Sequence, residues 1–211
     1  MKAIDTDRFW ELLRALPVPD DAESPHGPDE NGRLRDRNLR HYFELMADIR
    51  PDVILIGEAP GYRGHTITGV PFMSMRQLTA RPGLITGAPE GDGFEPPEAP
   101  AFTWEASSAA VWGALADWRG PLPISWPVYP NHPHEPGRPE SNRTPRAAEI
   151  AAGVPIVMEL AGAFSITTII AVGRKAQYAL ARNGVTATAV RHPAQGGARI
   201  FATQLAALNR A

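Results

Sequence analysis

Three features of this 211-residue chain predict a three-layer α/β/α fold around a four-stranded, mainly parallel sheet. From residue 50 onward, short apolar runs that read as strands alternate with segments of helical spacing. That alternation belongs to parallel strands covered by helices on both faces. The loops leaving the first, second and fourth strand-like runs are rich in Gly, Pro or His. In such folds ligands sit beyond the carboxyl ends of the strands, so these loops are expected to share one edge. The length suits one compact domain spanning 1–211, with an N-terminal helical segment 1–50 and an α/β core 51–211.

The elements follow in order. Asp5–Leu16 reads as an amphipathic helix with Phe9, Leu12 and Leu13 on one face. Pro17–Gly32 reads as a Pro/Asp/Gly-rich connector. Arg35–Ile49 carries Leu39, Tyr42, Phe43 and Met46 at helical spacing. Asp52–Ile56 is a short buried strand, followed by the loop Gly57–Met73. Arg81–Glu105 has no periodicity and reads as a surface insertion. Ser107–Trp118 is a helix with Ser107 as its cap, and Leu122–Trp126 the second strand. Pro127–Pro145 is another long loop. Arg146–Gly162 is a helix interrupted or bent near Pro155. Thr167–Val172 is the third strand, and Gly173–Arg182 a helix stopped by Asn183-Gly184. Val185–Val190 is the fourth strand, His192–Gly197 a loop, and Ala198–Asn209 the closing helix.

Composition narrows the function classes. No run of about 18 apolar residues is present, so no membrane partner is expected. The N-terminus MKAIDTDRFW lacks the apolar core of a signal peptide. With no cysteine, disulfides and cysteine-held iron–sulfur centres are excluded. The expected home is the cytoplasm and the expected state a monomer. Net charge is −2, but residues 1–100 carry a balance of −6 and residues 101–211 one of +4. The basic side chains of the second half are nearly all arginines, whose forks suit phosphate oxygens. A high-GC coding bias, which also fits the 22 prolines and two lysines, is the main cause expected for that choice.

The first loop, Gly57-Glu58-Ala59-Pro60-Gly61-Tyr62-Arg63-Gly64, lacks both the Walker ending and the Gly-x-Gly-x-x-Gly spacing. With the preceding strand and Gly69-Val70-Pro71-Phe72, it resembles the first motif of the uracil-DNA glycosylase superfamily. The nearest pattern is the Gly-Glu-Ala-Pro-Gly version of the iron–sulfur bacterial and archaeal glycosylases. Ser141-Asn142-Arg143-Thr144-Pro145 resembles their Asn-Arg-x-Pro stretch, Ile169–Ala176 their third strand and turn, and Arg191-His192-Pro193 their final His-Pro motif. Four matches in order, over roughly residues 52–208, make the chain similar to a cysteine-free branch of that superfamily.

The resemblance implies a uracil-DNA glycosylase-like fold and excision of a flipped base from DNA without metal or cofactor. It implies that Phe72 stacks on the base, Glu58 orients or deprotonates water, and His192 donates to the leaving base. The residues by themselves also allow a core role for Phe72, an ion pair of Glu58 with Arg63, and a helix-capping His192. Backbone around Gly57, Ala59, Pro60, Gly61 and Tyr62 is expected to line the base pocket. Arg63, Arg143, Arg191, Gln195 and Arg199 are expected to meet DNA, with Arg146 at the same helix start.

Two departures from the family pattern stand out. Ala59 occupies the place of an Asp in the most active members, which predicts slow or specialised chemistry. Pro127 occupies the place of a base-reading Asn, leaving Asn131 as the expected substitute. The tip Ala194-Gln195-Gly196-Gly197 has no large apolar wedge, which favours single-stranded or damaged DNA over deep duplex penetration. His132 and His134 could share a metal with His65 or Glu135, though a structural or DNA-contacting role fits them better. Two further readings remain: a member of the superfamily that binds DNA or a modified nucleotide without cleavage, and an N-glycoside hydrolase for free nucleosides or nucleotides.

Overall fold

The computed structural model of the protein describes residues 4–209. Its elements are α1 (Asp7–Ala15), β1 (Ala22–Glu23), α2 (Glu30–Ile49), β2 (Val53–Gly57), α3 (His65–Thr68), α4 (Met75–Leu78) and α5 (Ala106–Leu115). Then come β3 (Ile124–Pro127), β4 (His132–Pro133), α6 (Ala147–Ala163), β5 (Thr168–Val172), α7 (Arg174–Arg182), β6 (Thr188–Val190) and α8 (Ala198–Leu208). The main sheet has the order β3-β2-β5-β6 and is parallel throughout.

Side-chain alternation builds the layers. In β2, Ile54 and Ile56 join one buried cluster while Val53 and Leu55 join another. The first cluster holds Phe9 and Leu13 of α1, Leu39, Phe43 and Met46 of α2, Val157 and Leu160 of α6, and Leu180 of α7. The second holds Val111 and Leu115 of α5 and Phe201 and Leu205 of α8. Strand order explains the sides. From β2 the chain crosses to β3 in one direction and from β3 to β5 in the other. Right-handed crossovers then put α5 on one face and α6 and α7 on the opposite face. The reversal leaves a crevice at the carboxyl ends of β2 and β5.

The four main strands and the helices around them fall where the sequence predicts, with differences that have local causes. α2 starts at Glu30 rather than Arg35, because Asp29 caps it through the Gly32 amide (2.8 Å). Its first turn exposes Asn31 and Arg33, so no apolar spacing marks it. Ser107 is not the cap of α5. Glu105 holds that position, and Ser108 Oγ donates to its Oε2. α6 is uninterrupted by Pro155, which faces solvent beside the exposed Ala151 whose carbonyl loses its partner. Burial of Val154, Ile156, Val157 and Leu160 outweighs the roughly 3 kcal/mol a proline costs mid-helix. β6 is shorter than Val185–Val190, since the Val185 amide bonds back to Leu180 O at the end of α7 (3.0 Å).

The 81–105 segment has no regular structure but is firmly tied down. The buried Asp92 carboxylate accepts the amides of Leu84, Ile85 and Thr86. Asn38 of α2 bonds the Glu95 backbone in both directions. A two-stranded antiparallel ladder, Ala22↔Pro133 and Glu23↔His132, joins the connector after α1 to the loop after β3. Among the described residues no helix is long and apolar enough to cross a membrane.

Candidate active site

A cavity of about 250 Å³ opens at the carboxyl edge of the sheet. That is just below the ~300–1,000 Å³ of pockets for drug-sized ligands, a size suited to one planar base. Its wall combines the loops after β2, β3 and β6 with the start of α5: Glu58, Phe72, Pro127, Asn142, His192 and Glu105 all line it. Gly57, Ala59, Pro60 and Gly61 line it as well.

Glu58 leaves β2 at the register position where Gly57 faces Pro127. Its backbone carbonyl accepts the Tyr129 amide (3.1 Å), which pins the loop to the β3 side. Oε1 is buried without a partner, and Oε2 lies 3.5 Å from Lys175 Nζ. The ion pair that the residues alone allowed with Arg63 is made with Lys175 instead. Burial raises the Glu58 pKa above the usual range, only partly offset by Lys175. A carboxylate that is a stronger base than normal and that lines the cavity, its Oε2 held only by a 3.5 Å contact to Lys175, is equipped to accept a proton.

Phe72 lies with its ring against Gly57. Its backbone is left-handed (φ 53°), unusual for an aromatic residue, and its carbonyl is held by Trp112 Nε1 (3.0 Å). A strained residue clamped by a neighbour is a common feature of binding sites. The ring is half-buried: it lines the cavity and packs against the core cluster formed with α5 and α8.

His192 follows β6. Its Nδ1 accepts the Ala194 amide (3.1 Å), so in the neutral ring the proton sits on Nε2. Burial, reinforced by Arg191 and Lys175, lowers its pKa and keeps the ring neutral. Gly173 makes this seat possible: its φ is +93°, and a Cβ there would stand 2.8 Å from His192 Cβ. His192 caps no helix, since Gly197 precedes α8.

Glu105 is a feature that sequence reasoning missed. Its carboxylate fills the space above Gly64, where a Cβ would meet Oε2 at 2.4 Å, and burial raises its pKa. It ends an aperiodic stretch, so no sequence signal marked it. Asn142 was visible only as part of a motif. Its Oδ1 sits 3.2 Å from Nε2 of the buried His132. Arg174 and Lys175 were likewise visible only within a motif, and with Arg191 and Gln195 they line an adjoining groove of about 300 Å³.

Three expectations need correction. Asn131 does not reach the cavity: it is buried, with Nδ2 held by Pro17 O (3.2 Å) and Tyr129 Oη (3.4 Å). The β1–β4 ladder pulls that part of the chain away from the sheet edge. Arg143 touches the cavity, but its guanidinium is committed to Asp21 and Glu149, and Arg146 is bound to the same two carboxylates. Neither is a free phosphate ligand. Tyr62 does not line the cavity; it packs edge-on to Phe102, with the exposed Arg63 guanidinium over both rings. Arg191, Gln195 and Arg199 are exposed, and Gln195 has a left-handed backbone (φ 53°).

His132 and His134 do not form a metal site. His132 Nδ1 contacts Glu23 (3.0 Å) and Nε2 faces Ser141 O (2.8 Å). Among the described residues no group of three His, Asp or Glu side chains could hold an ion.

No protein-family model and no curated protein matches the chain. Among solved structures, that of wild-type Pedobacter heparinus SMUG2 is similar over 98% of both chains, with a TM-score of 0.62 and 13% sequence identity. A likeness of that depth and identity establishes architecture: the chain has the three-layer, uracil-DNA glycosylase-like α/β/α fold.

Proposed function

We propose that the protein is a monofunctional DNA glycosylase that hydrolyses the N-glycosidic bond of uracil or another deaminated base. One observation carries this reading: a base-sized cavity is lined together by an aromatic face, a carboxylate held by a single long contact and a neutral imidazole of fixed tautomer. The motif resemblance and the fold shared with SMUG2 support it.

A flipped nucleotide stacks its base on Phe72. As the C1′–N bond breaks, the sugar gains oxocarbenium character and the base gains negative charge. His192 Nε2–H and backbone amides of residues 57–62 stabilise the departing anion. Glu58 offsets the charge at C1′, orients a water and takes its proton as the new C1′–O bond forms. The base leaves as an anion and is protonated afterwards by solvent. Exposed Arg63, Arg191, Gln195 and Arg199 contact the flanking strand.

The experiment uses labelled single- and double-stranded oligonucleotides carrying uracil, hypoxanthine, xanthine or a thymine mismatch, followed by alkali. Strand breaks at the modified base are expected, reduced about 10²–10³-fold in Glu58→Gln and in His192→Ala. Tight binding without breaks would instead favour a non-cleaving binder, a reading that Ala59 and Pro127 in the cavity wall make specific. Inertness to DNA with hydrolysis of free nucleosides would favour the third class.

A further inference from the structure

The loop after β2 carries a buried histidine that the proposed chemistry leaves unused. His65, only 4% exposed, lines the cavity, and its ring packs 5.9 Å from that of Trp126, the residue before Pro127. It therefore stands close to the position from which Pro127 cannot read a base. Behind it, His65 Nε2 lies 3.4 Å from His26 Nε2, and His26 Nδ1 lies 2.9 Å from Asp36 Oδ1.

Hydrogen-bond logic fixes this chain. The Asp36 carboxylate only accepts, so His26 Nδ1 carries a proton. Burial and nearby Arg35 keep the His26 ring neutral despite Asp36, leaving its Nε2 as an acceptor. His65 Nε2 must then be the donor between the two rings, and His65 Nδ1 is left with a bare lone pair. Among the described residues, the side-chain atoms both buried and unpartnered are Trp10 Nε1, Arg35 Nε, Glu58 Oε1 and Trp126 Nε1. His65 Nδ1 makes no hydrogen bond among the described residues and is not one of these atoms, and its ring lines the cavity.

We propose that the Asp36–His26–His65 chain presents His65 Nδ1 as a fixed acceptor that reads the N–H of a deaminated base. The inference rests on the glycosylase reading and names what that pocket selects. Uracil offers N3–H, and hypoxanthine and xanthine offer N1–H. Cytosine and adenine carry a bare nitrogen there, and two lone pairs would face each other. A lone acceptor therefore separates deaminated cytosine and adenine from their parents. Guanine shares the N–H, so separating it from xanthine falls to other parts of the pocket. The chain defines a class of bases rather than one base. His65 is a specificity residue, and His26 and Asp36 are positioning residues.

Two measurements test this. Single-stranded oligonucleotides are made with uracil and with 3-methyluracil, which has a methyl group in place of the N3 hydrogen. Wild-type protein should cleave uracil at least about 100-fold faster than 3-methyluracil, a ratio that should fall below about 10 in His65→Ala as uracil cleavage itself slows. An unchanged ratio in His65→Ala overturns the proposal. Wild type that excises no base at all defeats the glycosylase reading instead. Nitrogen NMR of histidine-labelled wild-type protein needs neither activity nor a variant that folds. It should find His65 protonated on Nε2 and bare on Nδ1, with the two forms mixed in Asp36→Leu. His65 protonated on Nδ1 in the wild type overturns the inference.

Discussion

Glu58 shows how a side chain placed in a cavity wall can cost stability. Oε1 is buried without a partner, and Oε2 has only a 3.5 Å contact to the exposed Lys175. Burial makes ionisation harder in the folded chain than in the unfolded one, so the folded state binds its proton more tightly. The folded chain then loses stability as pH rises above about 4.5 and Glu58 ionises. Glu58→Gln removes that cost. It should raise the melting temperature at neutral pH by roughly 2–4 °C, as calorimetry would show, while slowing base excision about 10²–10³-fold. A lower melting temperature would mean that the carboxylate contributes to stability. With Glu58 as the proposed base, the same shift would set the acid limb of the rate: its midpoint should lie above 4.5, and His192, with its lowered pKa, should add no break at 6.5 or above. Asn131 and Asn142 show what sequence conceals at this scale. Both are asparagines after β3, but Asn131 is consumed by Pro17 and Tyr129 while Asn142 lines the cavity. Spacing along the chain cannot tell a satisfied amide from one that faces a ligand.

At the scale of elements, one ion cluster ties the N-terminal connector to the head of α6. Asp21 bonds both Arg143 and Arg146, which also hold Glu149, and Arg143 N donates to Pro133 O of the β4 loop. The two guanidinium groups hold the Asp21 carboxyl far below its usual range. A depressed pKa stabilises the fold above the ordinary aspartate value and loses that effect as pH falls through the folded one. Asp21→Asn should therefore lower the melting temperature at pH 7, with a penalty that shrinks below about pH 4. A penalty independent of pH would assign the effect to packing instead. Nothing in the sequence paired Asp21 with Arg143, because the contact spans 122 positions and the strands that bring it about are two residues long. The main sheet was legible for the opposite reason. β2 and β5 are continuous apolar runs bounded by polar residues, and α1, α2 and α8 keep a helical period. The loops after β2 and β6 were readable as site loops because strand order dictates where they end. Glu105 was not, since its place depends on the course of an aperiodic segment that only tertiary bonds from Asp92 and Asn38 define.

For the whole molecule, the question is where a polyanion would lie. The net charge of −2 offers no general attraction. The arginines divide into two sets that sequence cannot separate. Arg143 and Arg146 are neutralised by Asp21 and Glu149, whereas Arg174 and Arg191 are exposed and line the groove beside Glu58 and His192. A strand whose flipped base enters the cavity would run its phosphates along that groove. Each phosphate contact releases condensed counterions, so log affinity for single-stranded DNA falls with log salt by about 0.7 per contact. Arg174→Ala combined with Arg191→Ala should weaken binding to all single-stranded sequences alike and flatten the salt slope by roughly 1.4. Arg143→Ala should leave the slope as it is and lower the melting temperature, because it leaves Glu149 and Asp21 short of a partner. Titration of a fluorescent oligonucleotide at several salt concentrations, beside thermal melts of the same variants, distinguishes the two sets. If Arg143→Ala flattened the slope and the double variant did not, the strand would run over the α6 side of the cavity, and the groove beside His192 would have another use.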